Sequence, residues 1–344
     1  MTTTDLHPSA AGSPRSDFAE LFASIRQAGL LDRRRGYYIL MAALLGALFA
    51  AGAATFVLLG DSWWQLGTAA LFAVVFTQIG FFGHDAGHRQ ILRTRRGNDV
   101  VGYLKANLLI GLSFGWWMGK HNAHHANPNN TERDPDVQVG ALAFTPEQAR
   151  PRRGLFRVLA RYQAFLFFPM LLLEALNLHV ASVRAIGRGE VSKPVTEGGL
   201  LVLHAAWYLG AVFAVLPPLK AVVFIAVHQG LFGLYLGCSF APNHKGMPML
   251  RPGEKWGHLR RQVLTSRNVR GGVVTDWMLG GLNYQIEHHL FPRMPRPNLR
   301  RVAPMVREFC RARGIAYTET GLLTSYAQTL RHLHAAGRPQ PAVG

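Results

Sequence analysis

The chain has 344 residues, of which 49% are hydrophobic and 16% charged, and its formal net charge is +18. Soluble domains average about a quarter charged residues, so this composition, with its long apolar runs, excludes an ordinary soluble fold and points to a membrane protein. The excess of Lys and Arg reads as charge flanking membrane spans on the cytoplasmic side; no nucleic-acid recognition motif accompanies it, and Cys238 and Cys310 form no CxxC pair, which excludes a built-in iron–sulfur or dithiol centre.

In chain order, residues 1–20 are rich in Ser, Thr, Ala and Pro and are expected to be disordered. No h-region of a signal peptide opens the chain. Leu21–Leu31 reads as a short amphipathic helix lying on the membrane, so residues 1–36 form a cytosolic tail with an interfacial helix. Arg33, Arg34 and Arg35 then flank a first span, Tyr38–Leu59. A run of about 20 apolar residues crosses the hydrocarbon core. After the turn Gly60-Asp61-Ser62, a second span runs from Trp63 to Phe82 and closes a hairpin.

Val100–Met118 is apolar but broken by Lys105 and Asn107, and both its ends join histidine clusters. It therefore reads as a re-entrant or surface-lying segment. Leu155–Val180 carries Arg157, Arg161, Pro169 and Glu174 and is ambiguous. Gly199–Leu216 and Leu219–Phe240, joined by Pro217-Pro218, make a second hairpin. If the histidine clusters meet on one side of the membrane, the chain between them crosses an even number of times, so Leu155–Val180 is expected to lie along the interface or dip and return. In that topology every one of the 37 Lys and Arg except Lys220 is on one side, which makes that side cytosolic. The expected architecture is an all-α integral membrane protein. Four transmembrane helices form two hairpins within residues 37–320, with interfacial helices, a cytosolic helical cap and a cytosolic tail over 321–344.

Three histidine boxes follow or precede these spans: His84 and His88; His121, His124 and His125; His288 and His289. On a helix, residues three and four apart share a face. Neutral imidazole is the commonest metal ligand and suits iron, copper, nickel and zinc. Seven imidazoles exceed what one tetrahedral zinc uses and suffice for two metal ions. No G-x-G-x-x-G, Walker loop or H-E-x-x-H motif suggests another cofactor or chemistry.

The pattern H84-x3-H88, H121-x2-H124-H125 and Q285-x2-H288-H289 resembles the three histidine boxes of the membrane fatty acid desaturases. The run Asn283-Tyr284-Gln285-Ile286-Glu287-His288-His289-Leu290-Phe291-Pro292 is similar to the front-end branch, which includes delta-6 and delta-5 enzymes. The resemblance covers roughly residues 36–320. It implies two iron ions in a non-haem di-iron centre, a fatty acyl substrate, dioxygen as oxidant and water as product. It also implies one further histidine ligand between the last span and the third box. His244, at the cytosolic end of that span, is the candidate, and His228, mid-span, is the rival.

The same resemblance makes Gln285 a residue beside the metal rather than a direct ligand, and Asn243 reads equally well as holding a metal-bound water, as the resemblance implies, or as capping the end of the span. Asp85 and Glu287 read equally well as partners of box histidines or as solvated groups. His204, inside a span, fits an interhelical hydrogen bond, and Trp116-Trp117 fits an interfacial anchor better than a channel wall. Many front-end members carry a fused haem-binding electron donor. Residues 1–36 are too short for one, so a separate donor such as a ferredoxin with its reductase is expected, steered by the basic cytosolic surface. A membrane hydroxylase with the same boxes, and a haem electron-transfer protein holding haem between deep histidines, are the alternatives.

Overall fold

The computed structural model describes residues 14–338. Its first helix, α1 (Pro14–Gln27), precedes a hairpin of α2 (Arg35–Leu59) and α3 (Gln65–Gly87). α3 continues unbroken through the first histidine box, so His84 sits on its last turn. α4 (Arg95–Gly102) leads into a π-helical stretch, Tyr103–Leu109, and the chain reverses at Gly111, whose φ of +72° favours glycine, before α5 (Phe114–Ala126). The short α6 (Pro146–Ala149) is followed by α7 (Gly154–Leu171) and α8 (Glu174–Gly187), which meet at 82°. α9 (Pro194–Val215) and α10 (Pro218–His244) form the second hairpin.

The remainder is a cap. It comprises α11 (His258–Leu264), β1 (Asn268–Arg270), α12 (Val273–Met278), α13 (Gln285–Leu290), α14 (Arg296–Ala312), β2 (Glu319–Gly321) and α15 (Leu322–Gly337). β1 and β2 pair in parallel, with Val269 opposite Thr320.

Lipid offers no partner to backbone N–H and C=O groups, so long apolar runs close their hydrogen bonds within one helix. α2, α3, α9 and α10 are each long and apolar enough to cross a membrane. Their exposure differs: 61% of the apolar window of α3 is buried, against 17% for α2 and for α9. α3 is therefore the centre of the bundle, and its Phe76 packs on Phe232 of α10. Small residues let helices approach where a side chain would collide. A Cβ on Gly233 of α10 would come within 2.7 Å of the Leu171 carbonyl, so that glycine seats the α7–α8 corner directly on the span.

The broken apolar segment after the first box is pinned by a carboxylate that the sequence reading did not single out. Glu197, fully buried in the first turn of α9, accepts hydrogen bonds from Ser113 Oγ (2.5 Å), Gly115 N (3.0 Å) and Asn107 Nδ2 (3.3 Å). Ser113 is the N-cap of α5 and accepts from Trp116 N. A carboxylate at a helix N-terminus offsets the macrodipole and satisfies orphan amides. Glu197 thereby fixes the start of the helix that carries the second box. Gly111-Leu112-Ser113-Phe114-Gly115 is a G-x-S-x-G match that the sequence reading passed over, but the Ser113 hydroxyl is committed to Glu197.

Three expectations change. α1 does not offer its apolar face to a bilayer: Leu21 and Ile25 are buried at 1% and 0% exposure in a core with Val263, Ile286, Val302 and Val306. Residues 14–20, expected to be disordered, form the first half of α1, while 1–13 lie outside the described residues. The supposed tail after residue 320 begins with α15, which packs on α7 and α10 and buries Leu333, Ser325 and Thr329. α1 thus finds its protein partner in the cap, and α15 finds its own in α7 and α10.

Candidate metal centre

Box one closes α3, box two occupies the last turns of α5, and box three is α13. Each helix delivers imidazoles at spacings of one, three or four residues, and the cap folds α13 over the ends of α3, α5 and α10. The result is two adjacent groups of ring nitrogens. In one, His84, His88, His121 and His288 place ligand nitrogens within 4.8 Å of one another. His125 borders it, with Nε2 3.0 Å from His121 Nε2 and 3.1 Å from His288 Nε2. In the other, His124, His244 and His289 converge within the same limit. The His125 and His289 rings stack at 4.2 Å between centroids, so the groups share a wall.

His244 Nε2 lies 3.3 Å from His124 Nε2 and 3.1 Å from His289 Nε2. Its rival His228 is not near these atoms; it sits among Phe72, Phe76 and Phe232 and faces Tyr208 Oη at 2.7 Å. Gln285 Nε2 is 2.9 Å from His244 Nε2, and Asn243 Nδ2 donates to Gln285 Oε1 at 3.2 Å. Both amides therefore border the three-histidine group.

Four of the outward nitrogens are held by partners, the arrangement that orients metal-ligating histidines. His124 Nδ1 lies 3.0 Å from both oxygens of the fully buried Asp134. His244 Nδ1 donates to the Thr265 carbonyl and His289 Nδ1 to Gln262 Oε1, each at 3.0 Å. His84 Nδ1 is 3.4 Å from Asp85 Oδ1, and the other oxygen of Asp85 pairs with Arg296 Nη2 at 2.7 Å. Asp85 is thus a buried, paired group and not a solvated one.

Fit to metal can be judged from the atoms that face inward. His84 Nε2 is buried without a hydrogen-bond partner, and the other inward nitrogens have chiefly each other. Neutral imidazoles facing one another satisfy at most one N–H···N contact per pair, and each buried nitrogen left over carries a desolvation cost. Burial first, and neighbouring imidazoles second, hold His121, His125, His288 and His289 well below the usual histidine pKa. Neutral, convergent and desolvated imidazoles are the donor set that divalent cations use. In His124, burial also pulls the pKa down, but the Asp136 and Asp134 carboxylates outweigh it and raise it.

From the sequence, Asp134 could cap a helix or face a basic partner and has no assigned role at the site. It lies in the polar loop after box two, where the left-handed Asn129 (φ +54°) turns the chain and donates its backbone N–H to Asp134 Oδ2 at 2.7 Å. The Asn129 side chain donates in turn to the carbonyls of His244 and Thr265. The available signal was an Asp following box two in a turn-rich loop. Sequence reasoning missed Arg267. It is fully buried with its guanidinium on the carbonyls of Pro242 and Lys245 at the end of α10 and on Gln328 and Thr329 of α15. Burial without a carboxylate partner pushes its pKa down to about 10. Glu287 points away from the nitrogens, accepting from Asn268 Nδ2 (2.7 Å) and Tyr317 Oη (2.8 Å), and burial pushes its pKa up to about 7. It joins box three to the β1–β2 ladder. Trp117, read as an interfacial anchor, stacks instead on His121 at 4.4 Å, in space that Gly87 leaves open.

Residues 61–321 match the family model described as fatty acid desaturase. The chain is 33% identical over 327 residues to an acyl-lipid (9-3)-desaturase of Physcomitrium patens, covering 92% of this chain and 62% of that protein. It is 30% identical to a Delta(5) fatty acid desaturase of Caenorhabditis elegans, covering 95% and 75%. A Delta(6)-fatty-acid desaturase of the same organism is 31% identical, covering 78% and 64%. The chain thus spans less than two thirds of the length of two of these relatives.

Proposed function

This chain belongs to the fatty acid desaturase family, and from that premise we propose that it introduces a cis double bond into a fatty acyl chain at a non-haem di-iron site. The observation that carries the reading is the convergence of eight buried or half-buried imidazoles into two adjacent groups. His84, His88, His121, His125 and His288 would hold one iron, and His124, His244 and His289 the other. An iron pair so bound supplies activation of dioxygen and attack on unactivated C–H bonds.

The protein's own residues do the rest. Asp134, Thr265 and Gln262 fix which nitrogen of each ring faces inward. Gln285 and Asn243 offer amide groups beside the three-histidine side, where a water or oxygen ligand would need a hydrogen bond. The spans present a methylene chain to the site in one orientation, and for a substrate without polar handles near the reacting carbons, orientation is the main catalytic contribution. The histidine boxes and the cap face the cytosol, with α2, α3, α9 and α10 as the spans, and α7–α8 turns back at its 82° corner without crossing. The catalytic unit runs from α2 through β2, with α15 as its brace. Electrons come from a reduced redox-carrier protein of acidic surface, matched to the net charge of +18. Added salt should weaken that pairing, and turnover indifferent to salt would count against it.

Expression in a host of defined fatty acid content, with mass spectrometry of total acyl chains, tests the activity. New products two hydrogens lighter, absent with His124→Ala, support desaturation. Products one oxygen heavier identify a hydroxylase, and no new product in the wild type contradicts both.

A further inference from the structure

A cavity of about 480 Å³ opens behind the metal-side boxes, away from the inward nitrogens. Its rim carries Arg33, Arg89, Arg93, Arg95 and Arg293. Among the described residues only Arg95 of these five reaches a carboxylate, Asp99, at 3.7 Å. A second acid, Asp32, lines an adjoining cleft with Arg35. The floor is apolar, made by Phe22 and Leu31 on one side and Leu290, Phe291 and Met294 on the other. Arg35 starts the first span, so the cavity lies level with the headgroup layer of the cytosolic leaflet in the topology proposed above.

We infer that this cavity is a seat for an anionic phospholipid, its phosphate on the arginine rim and the start of an acyl chain on the Phe22–Phe291 floor. Guanidinium groups match phosphate oxygens in a planar, bidentate manner. Five of them with one weak internal counter-charge favour a net-anionic headgroup over a zwitterionic one. A concave cavity with an apolar floor suits a small amphiphile, whereas docking of a carrier protein uses a broad, flatter surface.

Three separate segments meet there: the end of α1 and the linker after it, the loop leaving box one, and the loop leaving box three. Arg89 follows His88 directly and sits at φ +59°, a conformation uncommon for a side chain of its size. Leu290 follows His289 directly. An occupied seat would clamp the exits of two histidine boxes to α1, so lipid occupancy would steady the metal centre without touching it.

The test uses the delipidated full-length protein and native mass spectrometry, titrating phosphatidylglycerol against phosphatidylcholine of the same chains. Retention of phosphatidylglycerol about tenfold tighter than phosphatidylcholine, lost in Arg93→Gln/Arg293→Gln and kept in the distant Arg188→Gln, is the expected result. Equal retention of the two lipids, or selectivity unaltered by the double substitution, overturns the proposal. Displacement of the lipid by millimolar inorganic phosphate would assign the rim to a free phosphate instead. Displacement by coenzyme A would assign it to the carrier of an acyl substrate, and weakened binding of an acidic redox protein with lipid retention intact would make it a donor surface. Each of these three results also overturns the lipid seat. The readout is binding, so it stands or falls independently of desaturase activity.

Discussion

Two histidine-rich regions lie in this one helical bundle, and they are built in opposite ways. At one end of the bundle, eight imidazoles point ring nitrogens at one another. Deeper in the bundle, His179, His204 and His228 are dispersed over α8, α9 and α10 and each finds a neutral neighbour. His179 takes the Gly111 carbonyl and Gln229, His204 takes the Leu108 carbonyl, and His228 takes Tyr208 through Nδ1, while its Nε2 is buried among aromatic rings without a partner. The lesson is that an intramembrane histidine marks function by default, but partnership decides which function. A ring whose nitrogens are used by carbonyls and hydroxyls tethers helices, and a set of rings left facing each other waits for a cation.

That contrast can be broken from its strong end first. His124→Ala removes a nitrogen from the three-histidine group and should abolish product and lower bound iron, read by acyl-chain mass spectrometry and elemental analysis of the purified protein. Unchanged iron would show that His124 is no ligand. Next in size is Asp134→Ala, which leaves every inward nitrogen in place but frees the His124 ring. Loss of such a partner costs about 10–100-fold in metal affinity or activity, to be measured by iron titration of the apo-protein. An unaltered titration would mean that the ring is oriented by its helix alone.

Glu197→Ala should act on stability before metal. It leaves Ser113, Gly115 and Asn107 without their shared acceptor, and an unsatisfied buried polar group costs about 1–3 kcal/mol. A lower melting temperature with iron retained in the folded fraction is expected. A melting temperature equal to wild type would remove Glu197 as the anchor of α5. The smallest effect belongs to His228→Phe, a near fit among Phe72, Phe76 and Phe232 that deprives only Tyr208 of a partner. Stability should change by about 1 kcal/mol, and iron content should stay at the wild-type level. Loss of iron in this variant would erase the distinction between the two regions.

Much of this was legible in the sequence because it rests on local periodicity. Span length, the short turns at residues 60–62 and 217–218, and histidines three and four apart are all one-dimensional signals. So was the assignment of His204 to a structural bond and the placing of His244 beyond the apolar run. What could not be read depends on residues far apart in the chain. Glu197 and Ser113 meet across 84 positions, and Arg267 reaches Gln328 across 61. Neither a lone buried carboxylate nor a lone buried arginine has a period. The helix α1 was misplaced for a related reason: an amphipathic stripe fits a membrane surface and a protein cap equally well, and only the tertiary fold decides between them. Trp117 shows the same ambiguity, since an aromatic beside a box suits both an interface and a stacked imidazole.

Histidines from three helices and the end of α10 are proposed to hold two irons side by side. X-ray absorption spectroscopy at the iron edge, with iron counted per polypeptide on the purified, iron-loaded protein, tests that arrangement most directly. Two irons per chain, nearest-neighbour scattering dominated by imidazole nitrogen, and a shortfall in His244→Ala are expected. One iron per chain, a sulfur-rich or haem-like shell, or full loading of the His244→Ala protein would contradict it.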